Sequence, residues 1–177
     1  MRNPWEFENS PWTSESSYFN WMRSQTRRIW SRHPVKIEYK KSRRYKAPVG
    51  IKGKEVWVSD CEICGCQSRT CEVDHITAGG SFKDWDTFTE WLKRILWVSV
   101  DDIRELCHDC HGVITLCQRY GYTWEEGVAR KAFVAKVKQK AEVQKKELKL
   151  FGYKGKDVDN QDKRDSLYMK LLEEGKL

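Results

Sequence analysis

The chain has 177 residues, of which 33% are charged, and a formal net charge of +7. That length allows one domain with a modest core plus flanking arms. The longest strongly apolar run, residues 95–100, is far too short to span a bilayer, and the opening MRNPWEFENS has no apolar stretch of a signal peptide, so a membrane partner and export are not expected.

In a chain without an export signal, the seven cysteines are expected to be reduced and cytoplasmic, and metal ligation outranks disulfides. Charge is unevenly spread: net +7 over residues 1–60, −4 over residues 61–121 and +4 over residues 122–177. Basic flanks attract polyanions such as nucleic acid, and an acidic middle suits a bound cation.

Residues 1–15 read as irregular, punctuated by Pro4 and Pro11. A helix is predicted from residues 14–17 to Pro34, with Phe19, Met22, Ile29 and Trp30 as its buried stripe. Arg23 with Arg27, and Arg28 with Arg32, are like-charge i,i+4 pairs, mildly unfavourable unless phosphates neutralise them. VKIEYKKSRRYKAP, residues 35–48, reads as a strand or an extended basic arm with Tyr39 and Tyr45 interleaved; Gly50 and Gly53 mark a turn, and residues 56–58 a short strand.

Two Cys-x-x-Cys pairs follow, Cys61 with Cys64 and Cys107 with Cys110, separated by 42 residues. Between them SFKDWDTFTEWLKRILW has helical spacing, with Phe82, Trp85, Phe88 or Thr89, Leu92 and Ile95 on one face. GVITLCQRYG is a short helix closed by Gly121. Thr123-Trp-Glu-Glu126 is a capping box that opens a helix to about Leu150; residues 152–165 look turn-like, and residues 166–172 form a last short helix.

Four thiolates in two such pairs can bind one tetrahedral zinc, with an insertion in the loop between them. Cys66, Cys71 and Cys117 complete no second set and read as small buried residues or spare thiols. Of the four histidines, His75 follows Asp74 between the pairs and His111 follows the last cysteine; His33 lies in the arginine-rich stretch, and His108 is a spacer inside the second pair.

The pattern C-x2-C…DH…C-x2-CH, here CEICGCQSRTCEVDHITAGGSF and then DDIRELCHDCHGVITL, resembles the HNH endonuclease family in its zinc-stabilised form, common in bacteriophages. The resemblance covers residues 61–121. It implies an α+β fold: a small ββα-metal centre stapled by zinc at Cys61, Cys64, Cys107 and Cys110, between helical basic flanks. With the flanks read from their own charge and helical patterning, the expected organisation is a nucleic-acid-binding helix and arm at residues 1–55, the nuclease domain at 56–122 and a Lys-rich helical extension at 123–177.

It also implies a catalytic cation, Mg²⁺ or Mn²⁺, held by Asp74 and His111, with His75 as general base. The family's middle Asn lies nine residues before the last motif residue; Asp102 stands there in this chain, an acceptor that cannot donate when ionised. The expected activity is hydrolysis of phosphodiester bonds in double-stranded DNA, with Arg23, Arg27, Arg28, Arg32, Lys40, Lys41, Arg43 and Arg44 on backbone phosphates. A phage member would work in the host cytoplasm, as a mobile homing enzyme, as a packaging partner of a terminase or other phage protein, or in host-DNA degradation; the sequence leaves these open. The rival reading is a non-cleaving zinc-containing DNA-binding protein on the same scaffold.

Overall fold

The computed structural model describes residues 2–48 and 53–176, so the turn expected at Gly50 lies outside the described residues. The fold is α+β with small antiparallel sheets, and the chain divides into two compact units, residues 1–110 and 111–177.

In the first unit, helix α1 (Glu15–Ser31) begins where Ser14 accepts a hydrogen bond from the Ser17 N–H at 3.2 Å. It stops before Pro34, as expected, but Pro34 also begins something. It is the first residue of helix α2 (Pro34–Arg43), so the strand or arm expected over residues 35–48 is a helix for most of its length. A proline ring presets the helical φ, and its missing N–H has no intrahelical partner to lose at the first position, so one residue ends α1 and starts α2.

Strand β1 (Tyr45–Ala47) pairs antiparallel with β2 (Val56–Asp60), which pairs with β3 (Gln67–Ser68). A second sheet joins β4 (Glu72–His75) to β5 (Ile103–Leu106), with Asp74 opposite Arg104 and His75 opposite Ile103.

Helix α3 (Trp85–Leu96) starts from Asp84, whose side chain accepts from the Thr87 N–H at 2.8 Å. Its packing against α1 makes an aromatic core of Phe19, Phe82 and Trp91, flanked by Tyr18, Met22, Phe88, Leu92 and Ile95. Phe19 meets Phe82 edge to face at 5.2 Å, and Phe82 lies 4.7 Å from Trp91. The expected stripes need adjusting: Ile29 and Trp85 are exposed, and Trp91, which was not on either stripe, is buried. Helix α4 (His108–Tyr120) begins inside the second cysteine pair, earlier than its sequence suggests, and ends at Gly121, whose φ of 73° suits glycine.

The second unit holds α5 (Trp124–Val137), α6 (Ala141–Leu150) and α7 (Gln161–Glu173) around Phe133, Leu148, Val158, Tyr168 and Leu171. The Thr123 capping box opens α5 as predicted. The single helix expected to reach Leu150 is two, because buried Gln144 folds α6 back: its amide donates to the carbonyls of Lys136 and Val137, both at 3.0 Å, and so closes the end of α5. Arg164, also buried, donates through Nε to Gln144 at 2.6 Å and through its other nitrogens to Val158 and Gln161. Helix α7 starts five residues earlier than expected, capped by Asn160 on the Lys163 N–H.

Gln144→Ala should therefore cost about 2–3 kcal/mol, because it removes three hydrogen bonds of a fully buried side chain at once, one of them to a charged guanidinium. The check is the urea midpoint of far-UV circular dichroism, and an unchanged midpoint would remove this network from the account of the fold.

Candidate metal centre and active site

The cysteine cluster forms where two turns face each other. After β2, the Gly65 N–H reaches the Cys61 carbonyl at 2.8 Å and the Cys61 N–H reaches the Cys66 carbonyl at 3.0 Å, which curls the chain around Cys61 and Cys64. At the end of β5, Cys107 and Cys110 bracket the start of α4, and the Cys110 N–H points at the Cys107 sulfur at 3.4 Å. The four Sγ atoms all lie within 4.8 Å of one another, with Cys64 and Cys107 at 3.8 Å. A zinc tetrahedron with bonds of about 2.3 Å has edges of about 3.8 Å.

Cys61, Cys107 and Cys110 are buried, and Cys64 is exposed. Burial alone would raise the Cys61 thiol, but hydrogen bonds from the backbone at Cys107, Cys64 and Ile63 bring it down to about 6. Four thiolates this close repel one another unless a cation sits among them, so the donor set fits a metal ion such as zinc.

The other three cysteines stand apart from this set. Cys71 is buried behind β4 with its thiol 3.6 Å from the Ser59 carbonyl, and Cys117 donates to the Thr123 carbonyl at 3.2 Å. Cys66 is exposed beside the cluster; hydrogen bonding to Cys64, burial and the Cys107 thiol hold it up at about 12.

Alternation along β4 sends Asp74 and His75 to opposite faces. The Asp74 carboxylate lies 3.6 Å from Arg104, its cross-strand partner. Lys36 on α2 feels the same carboxylate: burial and Lys40 lower its pKa, while Glu72 and Asp74 act to raise it. The His75 ring lies 4.2 Å from the Trp30 ring at a tilt of 35°, and its Nε2 lies 3.1 Å from the Ile95 carbonyl at the end of α3. A carbonyl only accepts, so Nε2 carries the proton and Nδ1 is the basic nitrogen of the neutral ring.

His75 opens onto a cavity of about 520 Å³ lined also by Thr77, Lys93, Arg94, Trp97, Val98 and Asp102. Asp102 thus shares the cavity with His75, but its carboxylate bonds to the Ser99 N–H at 2.7 Å and the Ser99 hydroxyl at 2.8 Å, while the ring is held by Ile95. Those bonds, with a smaller contribution from the field of His75, keep its pKa below the usual carboxylate range.

A lowered pKa contributes stability that is complete above the ordinary aspartate range and is lost as pH falls through the lowered value. Asp102→Asn keeps an acceptor for Ser99 and removes the charge. The melting-temperature gap between wild type and Asp102→Asn should be widest near neutral pH and close on acidification; a gap independent of pH would show that the charge contributes nothing.

His111 follows Cys110 on the first turn of α4 and is the first residue of the second unit. His108 is exposed, 3.6 Å from Glu72. His33, just before Pro34, packs its ring 5.5 Å from Trp30.

Among the cations expected on phosphates, Arg23 lies over the Phe82 ring at 4.6 Å and donates to the Phe82 carbonyl and to Asn20, so it packs the aromatic core. Lys40 donates to the Cys71 carbonyl at 3.3 Å, and Arg43 lies 3.6 Å from Glu62. Arg27, Arg28, Arg32, Lys41 and Arg44 are exposed.

Sequence reasoning missed Arg104, Lys36, Ile95 and Trp97. Strand pairing would have pointed to Arg104 opposite Asp74; the others depend on how α2 and α3 pack, which no local pattern carries. Comparison with protein-family models, curated proteins and solved structures gave no match.

Proposed function

We propose that this chain is a zinc-stapled endonuclease of the HNH type that hydrolyses DNA phosphodiester bonds with the help of a divalent cation. The observation that carries the reading is His75: an imidazole clamped at Nε2 by a carbonyl and backed by Trp30, with Nδ1 left as the basic nitrogen, on a strand next to a four-cysteine cluster.

In this reading Asp74 supplies an oxygen ligand to the cation, Mg²⁺ or Mn²⁺, and Mg²⁺ commonly keeps several waters and substrate oxygens in its remaining positions. Arg104 already lies by the Asp74 carboxylate and competes with the cation for it. When bound, the ion would stabilise negative charge developing on the phosphate and its leaving oxygen.

The chain's own part is proton transfer and positioning. His75 Nδ1 takes a proton from a water as the water oxygen attacks phosphorus and the bond to the 3′ oxygen breaks, leaving a 5′-phosphate and a 3′-hydroxyl. Ile95 and Trp30 hold the ring to that task, and exposed Arg27, Arg28, Arg32, Lys41 and Arg44 bind flanking phosphates.

The test is cleavage of supercoiled plasmid by zinc-loaded protein with Mg²⁺, with Mn²⁺ and with no added metal. The expected result is nicked or linear DNA in the metal lanes alone. Binding of DNA without cutting in any lane would support the non-cleaving rival.

A further inference from the structure

The cavity beside His75 has a lining that proton transfer does not need. Trp97 closes α3 as its C-cap, its N–H donating to the Lys93 carbonyl at 2.8 Å, yet its side chain is 85% exposed. A large apolar ring left in water is a surface ready for a flat partner. Two residues earlier, the Ile95 carbonyl holds His75, so one helix end holds the imidazole and carries the indole.

The cavity's charges are sorted. Lys93 and Arg94 stand on the last turn of α3; Lys93 is paired with Glu90 at 3.0 Å, while Arg94 touches the Glu90 carbonyl through Nε, which leaves its outer nitrogens to donate elsewhere. Asp102 lines the same space with a carboxylate already oriented by Ser99, and Val98 adds an apolar wall. A carboxylate repels a phosphate from the interior but accepts hydrogen bonds from the amino edge of a base. The volume falls in the range of small-ligand pockets. Inside duplex DNA both faces of each base are covered by neighbouring pairs, so only an unpaired base can offer a face to an indole.

We infer that this cavity holds an unpaired base of single-stranded DNA, stacked on Trp97 with its phosphate on Arg94, next to the phosphodiester that His75 attacks through water. The inference rests on the nuclease reading and narrows its substrate to DNA with an unpaired nucleotide at the cut.

The test uses full-length zinc-loaded protein without added magnesium or manganese, so that binding is read apart from cutting. The probe is a short single-stranded DNA carrying 2-aminopurine, whose fluorescence is quenched by stacking, compared with the same sequence as a duplex. Wild type should quench the single-stranded probe. Trp97→Ala should abolish the quenching and weaken single-strand binding roughly tenfold or more, with duplex binding little changed, and Trp97→Phe should keep most of both.

Removing so exposed a side chain leaves the core untouched, and zinc content checks the fold of each variant. Unquenched binding by wild type, or equal single-strand affinity in Trp97→Ala, overturns the pocket even if plasmid is cut. Trp97-dependent quenching in a protein that cuts no DNA under any metal upholds the pocket and removes the nuclease.

Discussion

Serine in place of Cys107 should leave the protein without bound zinc and without a folded centre around β5 and the start of α4. Cys107 is buried, its sulfur accepts from the Cys110 N–H, and it lies 3.8 Å from Cys64 across the cluster. A hydroxyl is a poor zinc ligand, and three remaining thiols cannot close the tetrahedron. Zinc binding in such sites is worth about 10–16 kcal/mol and is folding free energy, as large as the whole stability of an ordinary domain, about 5–15 kcal/mol.

The aromatic core of Phe19, Phe82 and Trp91 contains none of the four cysteines, so loss should begin at the cluster and not in that core. Elemental analysis and near-UV circular dichroism of the variant check this, with Cys71→Ser and Cys117→Ser keeping full zinc because neither sulfur belongs to the cluster. A folded Cys107→Ser protein with one zinc would mean that the ion sits elsewhere.

Local signals were strong where one residue type does one job. The cysteine spacing brought four sulfurs together, and Thr123 and Gly121 placed a helix start and a helix end. They failed where one residue does two jobs or where a distant side chain decides. Pro34 stops α1 and starts α2, and a basic stretch with two tyrosines does not announce which follows. The break between α5 and α6 has no glycine or proline; it exists because Gln144, held by Arg164 on α7, caps α5.

At the site, the residue types were legible and their partners were not. Asp102 stands at the family's middle position and lines the same cavity as His75, but the contact that holds the ring is a backbone carbonyl, of Ile95, and every residue has one. Arg23 was expected on phosphate, yet its guanidinium sits over Phe82, a contact that requires knowing that α1 crosses α3.

His75→Ala should reduce DNA cleavage by about 10²–10⁴-fold, the usual value of a general base, while zinc content and DNA affinity stay as in wild type. The side chain contributes little else. It belongs to no cysteine cluster, and it is not among the exposed cations that would meet phosphate. Its removal leaves the Ile95 carbonyl without its donor and Trp30 without its ring contact, but the site is an open cavity, so water can take the carbonyl and the loss of stability should be about 1 kcal/mol.

An imidazole acts as a base only when unprotonated, so wild-type cleavage should fall on acidification while the residual rate of His75→Ala should lack that limb. Trp30→Ala offers an independent reading: the base remains but its ring loses its support, so cleavage should drop by less than in His75→Ala and the acid limb should persist. If His75→Ala cuts like wild type, the water is activated by another group. If Trp30→Ala instead loses the acid limb and His75→Ala keeps it, the pH dependence belongs to a residue other than His75, and the role given to the imidazole is wrong.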